Sequence, residues 1–167
     1  MIPDVASLIE KYAITGILVD SNLLLLLFVG AHDRSLIASF KRTHDFTPED
    51  YDLLRALLDR FRAIYTTPNI LTEVSNLAGY VKEPAKEVLF DSLRLQIADM
   101  SEEYILSAVA AEDELFPRYG LTDTVIFELA AARHLLVLTD DFRLAGFLRT
   151  KKVDTINFNN IRTYLWQ

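Results

Sequence analysis

Gly16-Ile17-Leu18-Val19-Asp20-Ser21-Asn22-Leu23-Leu24-Leu25-Leu26-Leu27-Phe28-Val29-Gly30 decides how the rest of this 167-residue chain is read. Its first four residues form a short apolar run that does not alternate with polar residues. A strand buried on both faces of a parallel sheet has that pattern. Asp20-Ser21-Asn22 then interrupts the run with residue types that start helices. The apolar stretch 23–30 is about eight residues, against the roughly 18–20 needed to cross a bilayer, so it is read as a core helix.

Working outward, similar short runs recur at residues 63–66, 95–99, 135–139 and 153–156, and with 16–19 they make five candidate strands. Longer amphipathic stretches lie between them, at 48–62, 68–78, 84–94, 102–116, 122–134 and 141–148. A further helix is expected before the first strand, and residues 32–47 form a long connection before the second. Thr67-Pro68 places a cap residue before a proline at the first helical position, and Gly79 stands where that helix should close. Thr47-Pro48-Glu49-Asp50 repeats the start signal, with acids where the helix dipole favours them. Strands separated by helices imply right-handed crossovers, and so a doubly wound α/β domain. At this length, residues 1–167 are expected to form one domain.

The composition excludes several classes of protein. Zero cysteines remove a disulfide scaffold, a thiolate zinc site and thiol catalysis. With 51% hydrophobic residues and no low-complexity tract, the chain has enough apolar side chains to build a core. The first residues carry no basic region of the kind that opens a secretory leader, so a soluble, cytoplasmic protein is expected, without a membrane span. The net charge of −7 argues against binding nucleic acid through bulk positive charge. That charge is unevenly distributed: residues 99–128 carry all of it, and residues 142–167 are locally basic.

Ligands of doubly wound sheets bind beyond the carboxyl ends of the strands, so the residues found there matter most. The first strand runs into Asp20, and the fourth into Thr139-Asp140-Asp141. Asp123 opens the helix that leads into the fourth strand. Glu73 lies in the helix after the second, about 40° outside the stripe formed by Ile70, Val74 and Leu77 on a helical wheel, bordering the buried face. Four carboxylates converging on one cleft require a compensating positive charge. Hard divalent cations with oxygen ligands supply it. Without cysteine, and with His32, His44 and His134 outside these segments, Mg²⁺ or Mn²⁺ is favoured over zinc.

At these residues the sequence resembles the PIN-domain family of metal-dependent nucleases. The matching pieces are Val19-Asp20-Ser21-Asn22, Asn69-Ile70-Leu71-Thr72-Glu73-Val74, Leu121-Thr122-Asp123-Thr124-Val125-Ile126 and Leu138-Thr139-Asp140-Asp141-Phe142. Each is weak alone; the ordered set spans most of the chain. The resemblance implies a Rossmann-like α/β/α sandwich with a mostly parallel sheet of about five strands, and endoribonuclease activity with Mg²⁺ or Mn²⁺. It also implies, as in VapC-type toxins, a homodimer restrained by an antitoxin protein. Carried over position by position, Asp20, Glu73, Asp123 and Asp141 match the acidic quartet. Ser21 and Thr139 match hydroxyl positions beside it, and Asn22 a polar neighbour. Asp140 competes with Asp141 for the fourth place. The helix before the first strand and the 32–47 stretch depart from the shortest members.

Each acid also has a plainer reading: Asp20 and Asp141 as helix caps, Asp123 as a first-turn acid, Glu73 as a boundary residue. A phosphoacceptor receiver domain also collects acids at strand ends, but it has no place for the Glu73 segment. A catalytically silent PIN fold that binds RNA or protein is the alternative reading. For the RNA backbone, the nearby cations Arg143, Arg149 and Lys152 are the candidates. Phe158, Tyr164 and Trp166 are candidates either for base stacking or for docking a terminal helix.

Overall fold

The computed structural model describes residues 5–163. The elements follow in the order α1 (Val5–Tyr12), β1 (Ile17–Val19), α2 (Ser21–His32), α3 (Leu36–Ser39), α4 (Pro48–Leu58), β2 (Ile64–Thr66), α5 (Pro68–Ala78) and α6 (Ala85–Ala98). Then come β3 (Ser101–Glu102), α7 (Ser107–Glu112), α8 (Phe116–Arg133), β4 (Leu136–Thr139), α9 (Phe142–Thr150), β5 (Thr155–Asn157) and α10 (Phe158–Arg162). The five strands form one sheet in the order β3-β2-β1-β4-β5, every neighbouring pair parallel. The expected α/β class and its five-stranded parallel sheet are therefore what the chain forms.

The chain winds outward from β1 in two directions, first to β2 and β3, then across to β4 and β5. Right-handed crossovers put the connecting helices of the two halves on opposite faces. Accordingly α2 packs with α4, α5 and α6, while α8 packs with α9. Residues 23 to 30 of α2 are buried on every side, as the all-apolar run requires, so this helix is the centre of one layer. Gly30 gives it room beside α4, since a Cβ there would stand 2.3 Å from the Tyr51 ring. No helix among the described residues is long and apolar enough to cross a membrane.

The start signals operate as the residue types dictate. The Thr67 hydroxyl accepts the Ile70 N–H at 3.2 Å, with Pro68 at the first helical position of α5. Thr47 and Asp50 close a reciprocal capping box on α4. Asp50 is buried and also takes the Arg162 guanidinium at 2.9 Å, which ties α10 to the start of α4.

Four sequence expectations are corrected. Residues 95–99 are the last turn of α6 and the residue after it, and the edge strand is the two-residue β3 just beyond. An apolar run of four or five residues fits a helix end as well as a strand, and here helix continuity with 85–94 prevails. Residues 102–116 do not form one helix but hold the end of β3, the short α7 and the first residue of α8. Strand β5 begins two residues later than the 153–156 reading, because Lys152 in a left-handed conformation ends the preceding turn. Phe158 is fully buried, which removes it as a base-stacking residue. Tyr164 and Trp166 lie outside the described residues.

Candidate active site

The sheet reverses its winding between β1 and β4, and that is where a crevice opens beyond the carboxyl ends of strands. Asp20 sits at this seam. Its backbone N–H bonds the Leu138 carbonyl at 2.9 Å, extending the β1–β4 ladder by one residue. Its side chain caps α2 by accepting the Ser21 N–H at 2.6 Å, and its other oxygen accepts the Thr139 hydroxyl at 2.6 Å. Only 8% of the residue is exposed. Burial pushes the Asp20 carboxyl up to about 6; the charges of Asp140 and Glu73 add to the rise, and the two hydrogen bonds oppose it.

Three further carboxylates from separate elements join Asp20 around a cleft of about 350 Å³: Glu73 of α5, Asp123 of α8 and Asp141 at the head of α9. Glu73 accepts the Ser21 hydroxyl at 3.1 Å. It is more exposed than its wheel position suggests, because it stands on the cleft wall and not against the core. Asp123 is half-buried. Burial first, then the charges of Asp20, Asp141 and Glu73, push its carboxyl up to about 7, and Arg143 opposes the rise.

Asp141 is both a cap and a cleft residue. One of its oxygens accepts the Arg143 and Leu144 N–H groups, and its own N–H donates to the Thr139 hydroxyl at 3.0 Å. Thr139 therefore links two of the acids through one hydroxyl. Asp140 is not among the residues lining the cleft, but its carboxylate accepts the amide of Asn22, which is, at 3.4 Å, and its charge acts on Asp20. Its backbone carbonyl accepts the Asn159 amide, which fastens the 139–141 turn to α10.

The cations divide by position. Arg143 lies in the first turn of α9, with its guanidinium 5.5 Å from the centre of the Tyr119 ring on the cleft wall. Arg118 approaches the same ring at 5.4 Å. Arg149 and Lys152 are two turns further along, where α9 has descended toward the amino ends of the strands, and Arg149 bonds the Thr155 carbonyl there. Neither lines the cleft.

Two wall residues escaped the sequence reading. Gly120 has φ 82° and ψ −179°, a conformation that side chains exclude, and it breaks α8 just before Asp123. Tyr119 lines the cleft beside it. A glycine in the gap between the helical stretches 102–116 and 122–134, three residues before an acid, was the available signal.

The donor set can be tested against a metal. Four carboxylates with no lysine or arginine among the cleft-lining residues are the chemistry of a hard divalent cation. Burial first, and then the charges of the neighbouring acids, raise two of them, to about 6 for Asp20 and about 7 for Asp123. Among the described residues, however, no three acidic or histidine side chains stand close enough together to grip a single ion as placed. The donor chemistry fits, while the spacing is that of an open cleft and not a closed cage. No family model, curated protein or solved structure matches this chain.

Proposed function

We propose that this protein is a divalent-metal-dependent endoribonuclease of PIN-domain type. One observation carries the reading: four carboxylates from four elements surround a single cleft at the switch point of the sheet, and two are pushed up toward neutral pH. Structural acids are normally separated or paired with cations, and these are neither. Asp20, Glu73, Asp123 and Asp141 would hold Mg²⁺ or Mn²⁺. When bound, the metal supplies an activated water and neutralises charge on the phosphate.

The remaining work falls to the chain itself. Thr139 and the Ser21 N–H fix both oxygens of Asp20, so this carboxylate has one orientation. The Ser21 hydroxyl holds one oxygen of Glu73. Arg143 stands beside Tyr119 of the cleft wall, near enough for its charge to act on Asp123, and its guanidinium would meet a phosphodiester oxygen entering the cleft. The resemblance adds the rest of the proposal: a cytoplasmic homodimer held inactive by an antitoxin, with RNA as substrate.

A second reading, a silent PIN fold that binds RNA or protein, is favoured by the open spacing of the carboxylates. One experiment separates the two. Purified protein with Mn²⁺ should cleave a long RNA, and Asp20→Asn should slow cleavage by at least about 100-fold. Equal rates for both proteins, or no cleavage together with no Mn²⁺ uptake by calorimetry, would leave the silent module as the better account.

A further inference from the structure

A second groove opens from the acidic cleft and shares Glu73 and Thr122 with it as common wall. Its volume is about 610 Å³. One wall is the outer face of α5, where Asn69, Thr72 and Asn76 recur at helical spacing with Glu73 among them. Tyr80, just beyond that helix, and Tyr104, in the connection between β3 and α7, are 68% and 67% exposed. Arg42 reaches in from the segment before α4 and lies 5.0 Å from the centre of the Tyr80 ring. It has no carboxylate partner among the described residues. The long 32–47 stretch, a departure in the sequence, thus delivers the cation of this groove.

Two exposed rings that line one groove point to an interaction surface more than rings scattered singly do. The chemistry around them is specific: two exposed rings, amides and a hydroxyl that both donate and accept, and one unneutralised guanidinium. Unstacked bases are recognised through these groups, by stacking on aromatic faces and by hydrogen bonds to their edges. The walls come from α5, the segment before α4, the connection after β3 and residues of α7 and α8, with Pro68 and Leu77 among them; an extended peptide would add to a sheet edge, and no strand residue lines the groove.

We infer that this groove binds the nucleotides of a single-stranded RNA next to the phosphate seated in the acidic cleft. Tyr80 and Tyr104 stack on bases, Asn69 and Asn76 contact base edges, and Arg42 meets the backbone. The inference rests on the ribonuclease reading for the identity of the strand, and it specifies single-stranded over duplex RNA.

The test is fluorescence anisotropy with a labelled single-stranded RNA pool of about eight nucleotides, in the Asp20→Asn background with Mg²⁺. Tyr80→Ala and Tyr104→Ala should each weaken binding by about tenfold, and Tyr80→Phe should retain it. Arg42→Ala should weaken binding and reduce the salt slope by about 0.7. A duplex of the same length should bind less tightly. All three residues are exposed, so thermal melts of the variants should match the parent. Unchanged affinity in the three alanine variants, or equal affinity for duplex, would overturn the groove. If the wild type fails to cleave RNA with Mn²⁺ while the groove variants still lose RNA binding, the ribonuclease reading falls and the groove stands.

Discussion

Two threonines at strand ends differ in what their hydroxyls do. Thr139 at the end of β4 donates to the buried Asp20 carboxylate and accepts from Asp141, whereas the Thr66 hydroxyl at the end of β2 is buried without a partner among the described residues. Thr139→Val should cost about 1–3 kcal/mol, because it leaves a buried carboxylate under-satisfied, and Thr139→Ser should recover most of it. Thr66→Val should be neutral or stabilising by up to about 1 kcal/mol. Urea unfolding of the three variants measures both effects, and a loss of stability in Thr66→Val would contradict the contrast. Asp20, Asp123 and Asp141 were legible as candidates because strand ends and helix starts can be read locally, and Glu73 because its wheel position and the ordered set of segments singled it out. The preference for Asp141 over Asp140 came from the resemblance and not from the residue types, which are the same. Which of two adjacent side chains lines the cleft depends on the turn, whose Asp140 carbonyl is held by Asn159 and whose Asp140 carboxylate is held by Asn22, both from far along the chain.

Among the elements, the break in α8 has the clearest consequence. Gly120 turns the chain so that Thr124 can bond the Gly120 carbonyl at 2.7 Å and Asp123 can face the cleft. No atom crowds the position a Cβ would take, so Gly120→Ala acts through backbone conformation alone. A strain of about 1–3 kcal/mol is expected, and the loop would relieve it by moving Asp123. The measurable outcome is a fall of about tenfold or more in RNA cleavage with a small change in melting temperature. The contact of α10 with α4 behaves differently. Arg162→Ala strands the buried Asp50 carboxylate and should cost about 3 kcal/mol in urea unfolding, far more than an exposed pair such as Arg34 with Asp52. Helix starts with a cap and a proline were readable from sequence. The 95–99 segment was not, because short apolar runs are ambiguous until a neighbouring helix claims them.

For the whole molecule, the carboxylate cluster links stability to pH. Asp20 titrates at about 6 and Asp123 at about 7 in the fold, while both would ionise near 3.8 when unfolded. Folded pKa values above the unfolded ones mean that the stabilising protonation is complete below about pH 4 and is lost as pH rises through 6 and 7. Metal-free protein in chelator should therefore lose stability between pH 4 and 7, with each carboxyl contributing a slope of at most about 1.4 kcal/mol per pH unit, and level off above. Mg²⁺ or Mn²⁺ should reverse the loss above pH 7. Melts across this range with and without metal check the sign; a rise in metal-free stability with pH would refute it. The four acids also come from segments that are distant along the chain, and the last is Asp141, just past the strand that pairs with β1. During synthesis, the emerging polypeptide cannot bring the four acids of the cleft together until β4 has paired with β1. An enzyme that degrades RNA would then stay harmless to its own messenger for most of translation, and any fragment ending before β4 should be inert.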